Sequence, residues 1–435
     1  MLDVDTELFA ADCKFAPYWW DRVPRPAADE NPLPDSVDVA VIGSGYTGLS
    51  AALQTARAGR NTLVVDAEDA GWGCSTRNGG QISTSIKPGY DVLARRHGEQ
   101  RARAILLDGQ RSLAWVGEFV GVERIDCDFR VVGRFHAAHN AGEFASLVRR
   151  IAEQPKDLAV DAQVVTRAEQ HAEIGTDAYW GGVVYLRHAS IDPARYHQGL
   201  LERVVAAGAR VVGRCAATGI ESDGRGFLLR TARGAVRARD VVVATNGYTG
   251  PLTPWLRRRV IPIGSYMIAT EPLPEAQMAR LMPKDRIVSD TRKVVFYYRA
   301  SPDRRRILFG GRVSTDETDP RVSGPRLHAE MVTLFPELAT SRISHSWFGF
   351  VAYTFDELMH VGRHEGVHYA MGYCGSGVGM ASYLGMRLGL QVLGRKDGAT
   401  ALDGLAFQTR PLYTGNPWFL APSVRYFQWR DRQGS

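Results

Sequence analysis

Apolar positions along the chain fall into two textures. Val37–Ile42 is a short apolar run, the pattern of a strand buried on both faces. Thr47–Ala58 follows at helical spacing, with the small residues Ser50, Ala51, Ala52 and Ala56, and stops at Gly59. Asn61–Val65 is a second short strand. Residues 91–121 carry Val92, Leu93, Ile105, Leu106, Leu113, Val116 and Phe119 at helical intervals, and Ala141–Gln154 reads as another amphipathic helix. Phe129–Phe135 and Tyr179–Tyr185 read as strands. Asp192-Pro193 opens a helix that closes at Gly208. The stretch ARVVGRCAATGIE then reads as one strand, and GFLLRT with AVRARDVVVAT as a hairpin ending in the buried run Val241–Ala244. From Ile261 the texture changes. IPIGSYMIATEPL alternates, VVFYYRA and RILFGGR pair around Ser301-Pro302-Asp303, and HSWFGFVAYT is a further strand, which together predict an antiparallel sheet. VHYAMGYCGSGVGMASYLGMRLGLQVLG then returns to strand, glycine turn and helix.

The turn between the first strand and helix carries chemistry. Gly43, Gly45 and Gly48 form G-x-G-x-x-G. The first glycine permits a tight turn, the second lets backbone approach a pyrophosphate, and the third lets the helix pack close to the sheet. The helix N-terminus presents unpaired N–H groups and a partial positive charge to a phosphate. Asp66, at the end of the next strand, can accept bonds from ribose hydroxyls. These residues define a dinucleotide site and leave NAD(P) and FAD both open.

Composition narrows the class. A chain of 435 residues can bury a large core and hold two domains. The net charge of +6 is small for this length and no Lys/Arg run stands out, so no nucleic-acid partner is expected. Five scattered cysteines without C-x-x-C argue for a reduced, cytoplasmic setting and against a disulfide framework or zinc site. The first residues are acidic and lack the basic, then apolar, pattern of a secretory leader. Gly366–Met386 is free of Asp, Glu, Lys and Arg, yet its six glycines fit strand, turn and helix better than a membrane span. His360, His364 and His368 recur every fourth residue as on a metal-binding helix face, but Gly362 and Gly366 interrupt them, and no metal is expected.

GSGYTGLSAA, GWGCSTRNGGQ, IDPARYHQGL, VVVATNGYTG, SYMIATEPL, ILFGGR and GYCGSGVGMA together resemble the FAD-dependent D-amino-acid-oxidase superfamily, and within it the gamma-glutamylputrescine oxidoreductase-like amine oxidases. The resemblance covers almost the whole chain. It implies an α/β (α+β overall) protein with FAD as cofactor. A Rossmann-like FAD-binding domain would be assembled from 37–95, 160–255 and 350–410. A mixed, mostly antiparallel substrate domain would use 96–159 and 256–349, with a lead-in at 1–36 and a tail at 411–435. The residues add one argument of their own. Directly after Asp66 comes the loop Gly71–Gln81, with donors Ser75, Thr76, Arg77 and Asn78 and with Gly79-Gly80 where a flat ring must pass.

Carried over by position, the resemblance places Gly43, Ser44, Gly45, Thr47 and Gly48 at the pyrophosphate, and Asp66 with Ala67 at the adenosine ribose. Ser75, Arg77, Asn78, Gly80 and Gln81 border pyrophosphate and flavin. Ala217 meets adenine, and Ala244, Thr245 and Asn246 end the buried strand beside the cofactor. Gly375, Gly377, Val378, Gly379 and Met380 form the turn over the flavin pyrimidine; relatives often carry His where this chain has Ser376. The implied activity is hydride transfer from the carbon beside an amine nitrogen to flavin N5. It yields an imine that hydrolyses, with O2 reduced to H2O2 or quinone as the alternative acceptor. Amines, including gamma-glutamyl amines, and cyclic or N-methyl amino acids are the substrate classes. Tyr266, Tyr298, Trp347 and Tyr373 are candidates to wall the substrate cavity, and each equally fits plain packing. Arg299 is a candidate carboxylate ligand, with a cross-strand ion pair as the structural alternative; Lys293 is a candidate cation for oxygen reduction. The aromatic, basic tail PWFLAPSVRYFQWRDR fits a packed helix or a membrane-peripheral one.

Overall fold

Ser36–Ile42 sits in the middle of a sheet because both its faces are apolar and both are covered. The structure, a computed structural model, describes residues 6–27, 29–84, 86–313 and 319–433. The sheet runs Ala217–Ser222, Phe227–Thr231, Gly234–Val243, Ser36–Ile42, Thr62–Val65, Arg210–Val212. Ser36–Ile42 is parallel to both neighbours, and Val367–Met371 joins parallel at Val242 and Val243, carrying His360–His364 antiparallel at its side. Strands therefore reach this sheet from three separated stretches of chain.

Helix Tyr46–Arg57 lies on the sheet and is crossed closely by Gly377–Val392. A Cβ on Gly385 would stand 2.4 Å from the Thr47 carbonyl, and one on Gly389 2.7 Å from that of Ala51, so glycine at both positions permits the contact. Helices Glu99–Val122 and Pro193–Ala206 complete this apolar layer. Asp192 caps the latter, accepting from the amides of Ala194 and Arg195, with Pro193 in the first turn.

The second sheet has nine strands in the order Phe9–Lys14, Ile343–Tyr353, Ile261–Thr270, Ile307–Gly311, Tyr297–Ala300, Ile287–Asp290, Arg134–Ala137, Gly182–Tyr185, Ala162–Val165. It is mostly antiparallel, with parallel pairs at its edge and at Arg134–Ala137. One face buries Phe135, Tyr266, Tyr298 and Phe309 under helix Pro320–Leu334. The opposite face turns toward the first unit.

The sheets divide the chain differently from the expected boundaries. Phe9–Lys14, placed in the lead-in, pairs with Ile343–Tyr353. Ala162–Val165 and Gly182–Tyr185, expected in the FAD domain, belong to the nine-stranded sheet, the first as its edge strand and the second as that strand's inner neighbour. Helix Glu99–Val122, expected in the substrate domain, buries Ala102, Ile105, Val116 and Phe119 in the core of the first unit. The predicted helix 91–121 is two helices, Tyr90–His97 and Glu99–Val122, parted at Gly98, whose φ of +81° breaks the helical path. The single strand predicted over 209–221 is broken at Arg214, with φ +51°, because the chain must rise over the Asp66 turn: the amides of Arg214 and Cys215 donate to the carbonyls of Glu68 and Asp66. Of the predicted strand Phe129–Phe135 only its end pairs as Arg134–Ala137, with a lone bridge from Arg130 to Ser190. His360 and His364 lie on one strand and His368 on the next, around a turn. His360 bonds Asp356, and His364 stacks on Trp255. No helix among the described residues is long and apolar enough to cross a membrane.

Candidate active site

The glycine turn at the end of Ser36–Ile42 takes the shape its residues predict. Gly43 has φ +104°, and the Gly43 and Ala244 amides donate to the carbonyls of Val65 and Ile42, which locks the turn between three strand ends. A Cβ on Gly48 would lie 1.9 Å from the Gly43 carbonyl oxygen, so this position admits no side chain. Gly45 caps helix Tyr46–Arg57 without a side-chain bond, leaving the helix entrance to Ser75, whose Oγ accepts from the Tyr46 amide at 3.0 Å. Ser44 stands behind the turn: its amide and Oγ donate to one oxygen of Asp66 at 2.7 and 2.6 Å, and its carbonyl accepts from His197 Nε2. The Asp66 carboxylate is thereby fixed at the cavity wall with its other oxygen held by the Glu68 amide.

The loop Gly71–Gln81 is tied down along its length. Trp19 Nε1 donates to the Asn78 carbonyl, Trp20 Nε1 to Thr76 Oγ1, and Trp347 Nε1 to the Arg77 carbonyl. Arg77 donates to the carbonyls of Trp72 and Phe348, and its guanidinium lies 4.2 Å from the Trp72 ring centre and 4.7 Å from that of Trp20. Asn78 Oδ1 accepts from the Gly80 amide, and Gln81 Nε2 donates to the carbonyls of Val288 and Tyr298. The far turn is joined in the same way: Asn246 Oδ1 accepts from the Gly372 amide, Cys374 N donates to the Ala352 carbonyl, and Cys374 and Gly375 both take positive φ before helix Gly377–Val392.

These pieces surround one cavity of about 1680 Å³. A single small ligand fills roughly 300–1,000 Å³, so the space has room for a dinucleotide and a substrate together. Gly43, Gly45, Thr47, Asp66, Ala67, Ser75, Arg77, Asn78, Gln81, Ala217, Ala244, Thr245, Asn246, Gly375, Gly377 and Val378 all line it. Ser44, Gly48, Gly80, Gly379 and Met380 do not; they hold the wall from behind. Gly80 marks another close backbone approach, where a Cβ would lie 2.2 Å from the Ile191 carbonyl.

The expected substrate residues are largely corrected. Tyr266 and Tyr298 point to the other face of their sheet, into its core, where Tyr298 bonds Tyr179. Trp347 is spent on Arg77. Arg299 lies outside the cavity lining and forms no ion pair among the described residues: its Nη1 donates to the carbonyls of Gly80 and Ile191 at 2.9 and 2.8 Å, and burial lowers its pKa to about 10. Tyr373 and Lys293 do line the cavity. The Tyr373 hydroxyl donates to the Ala370 carbonyl and accepts from Thr47 at 2.6 Å, and burial raises its pKa.

Pattern reading missed the strand face that walls the cavity. Tyr297, not Tyr298, faces inward; its ring packs on Gly79 and its hydroxyl pairs with Ser265 at 2.8 Å. Arg134 and His136 also face the cavity, and the signal was present: Phe135 between them belongs to the core, and alternate residues face opposite ways. Lys87, Arg150 and Arg312 add cationic lining, set against Glu143 and Glu357. Attraction to Tyr353 raises the Lys87 pKa. Burial, then the charge of Arg134, lowers that of His136 to about 3. Cys74 and Cys374 line the wall as thiols, each pushed up to about 11 by burial.

A strand–glycine–helix cradle, a carboxylate at the end of the next strand and a second glycine-bearing loop make a flavin-type dinucleotide site facing the nine-stranded sheet. The chain belongs to the family of FAD dependent oxidoreductases designated DAO, which matches residues 38–389. It is 32% identical over 414 residues to gamma-glutamylputrescine oxidoreductase of Escherichia coli K12, covering 91% of this chain and 93% of that protein. It is 30% identical over 426 residues to a probable oxidoreductase OrdL of Rhizobium meliloti, covering 94% and 95%. The fold is that of glycine oxidase from Geobacillus kaustophilus, with a TM-score of 0.73 at 18% identity over 87% of this chain and 99% of the other. L-proline dehydrogenase from P. horikoshii is similar, with a TM-score of 0.70 at 17% identity over 90% and 99%. The protein is thus an FAD-dependent amine or amino-acid oxidoreductase.

Proposed function

We propose that the protein oxidises the C–N bond of a small amine, with a gamma-glutamyl amine as the leading substrate and O2 as acceptor. The observation that carries this reading is the single cavity joining the Gly43–Gly48 cradle to the sheet face at Tyr297 and Ser265. When bound there, FAD supplies the hydride acceptor. The chain's own residues position the two reactants. Gly43–Gly48, Asp66 and Ser75 would hold the cofactor, and the N-terminus of Gly377–Val392 would favour negative charge at its pyrimidine edge. Tyr297 and Ser265 wall the opposite side and orient the amine for transfer. The whole-length similarity to gamma-glutamylputrescine oxidoreductase supports the substrate choice. An anaerobic screen of amines and amino acids tests it. Bleaching of flavin absorbance by a gamma-glutamyl amine, then stoichiometric H2O2 on admitting air, is expected. Bleaching by proline or sarcosine types alone would reassign the substrate.

A second reading, a quinone-linked dehydrogenase at a membrane surface, rests on the tail. Helix Leu420–Gln433 turns Leu420, Val424 and Phe427 to the cavity and leaves Tyr426 and Trp429 exposed, near exposed Trp418. Slow peroxide formation with fast reduction of a soluble quinone would favour it.

A further inference from the structure

The nine-stranded sheet supplies a ruler from the Gly71–Gln81 loop to the far end of the cavity. Ser289 is paired with Tyr297 on one side and with His136 on the other, so Tyr297, Ser289 and His136 form one row across three strands. All three line the cavity. Neighbouring strands are about 4.8 Å apart, which puts His136 about 10 Å from Tyr297. Arg134 is two residues away on the same face, about 7 Å along the strand, and so about 12 Å from Tyr297.

Three donors gather at that end. Arg134 lies in the wall with its guanidinium carbon 5.3 Å from the centre of the Tyr185 ring. Arg150 reaches the same space from helix Ala141–Ala152, which packs on Gly182–Tyr185. His188, only 3% exposed, stacks on Tyr185. Its Nε2 accepts from the Thr84 amide at 3.3 Å, which leaves the ring proton on Nδ1. That buried Nδ1 has no hydrogen-bond partner among the described residues, and the ring lines the cavity. A buried donor left unpaired is costly, and here it stands beside two cationic side chains. Burial, then Arg134, lowers the His188 pKa to about 2, so the ring is neutral and serves as an N–H donor, not as a charge. Glu143 lines the same cavity, and the Asp290 carboxylate there is taken up by Arg292.

We infer that Arg134, Arg150 and His188 Nδ1–H form a carboxylate subsite, so that the substrate is an elongated amine bearing a carboxylate about 10–12 Å from the carbon that is oxidised. This rests on the reading of the Tyr297 end as the place of amine oxidation. It excludes glycine-sized amino acids, whose carboxylate is too near the amine to reach the subsite.

Calorimetry on the FAD-loaded protein tests the subsite without turnover. One probe is glutaric acid monobutylamide, which has the chain and the carboxylate but no amine. The other is N-butylbutanamide, which lacks the carboxylate. The acid is expected to bind at least tenfold more tightly than the amide. Arg150→Gln, on an exposed helix, and His188→Phe are each expected to reduce that ratio at least threefold, and Arg134→Met to bring it near one, with Arg134→Lys restoring part. Equal affinities in the unaltered protein would overturn the inference, as would a ratio that survives both Arg150→Gln and His188→Phe. Anaerobic flavin bleaching is scored separately. If no amine bleaches the flavin while the calorimetric preference holds, the proposed reaction fails and the subsite stands.

Discussion

Gly48 is the most constrained single position in the cradle. Its absent side chain leaves room for the Gly43 carbonyl, and even a methyl group must displace backbone. Gly48→Ala is expected to cost about 1–3 kcal/mol, the usual price of overpacking, and to lower FAD retention after gel filtration. An unchanged melting temperature with full flavin would contradict the geometry. Histidine burial gives a pH prediction. His136, His188 and His197 have pKa values lowered by burial to about 3, 2 and 4. In the unfolded chain they titrate near 6.5. Below that pH unfolding takes up protons that the folded protein refuses. Stability is therefore complete above about pH 6.5 and declines as pH falls through the window toward 4. Calorimetric scans from pH 7.5 to 4.5 should show a falling melting temperature, and a flat profile would exclude these neutral, buried rings. At this scale the sequence was legible where backbone dictated the residue, as at Gly43 and Gly48. It was not legible at Tyr297-Tyr298, where adjacent identical residues must face opposite sides and only the register decides which faces the cavity.

Arg299 acts between elements. One guanidinium nitrogen ties the Gly71–Gln81 loop to the residue before the Asp192 cap of helix Pro193–Ala206, by way of the Gly80 and Ile191 carbonyls. Hydrogen bonds from a charged donor contribute about 1.5–3 kcal/mol each, and removal leaves buried carbonyls unpaired. Arg299→Met should therefore lower the melting temperature and release FAD. A substrate ligand would behave differently, raising KM with stability intact, so the two measurements separate the roles. Helix and strand types followed from periodicity in most segments, including the hairpin Phe227–Thr231 with Gly234–Val243. The misplacements have two causes, of which the positive φ of Gly98 is the local one. Arg214 and the strands Ala162–Val165 and Gly182–Tyr185 are set by long-range partners, and local spacing holds no record of those.

For the whole molecule, the two sheets close on one cavity, and the cofactor that fills it would bridge them. FAD should then stabilise both units as one. With free FAD at 100 times its Kd, the gain is about 2.7 kcal/mol. Thermal scans of stripped and reloaded protein should show a single transition that moves up with FAD. Two transitions, only one of them responsive, would mean that the sheets unfold independently. The family was legible because the glycine motifs are written in three places. The far end of the cavity was not, because its side chains Arg134, Arg150 and His188 come from a strand, a helix and a turn with no shared motif.

The close crossing of Tyr46–Arg57 by Gly377–Val392 also sets a clock on biosynthesis. The cradle leaves the ribosome early, but the helix that packs it, with Gly385 and Gly389 against Thr47 and Ala51, emerges more than 300 residues later. At about 5–20 residues per second that interval is roughly 15–65 s. During it the part of the first helix that Gly377–Val392 covers is open and the cofactor cradle lacks one wall. The complete flavin site therefore exists only once Gly377–Val392 has joined the cradle.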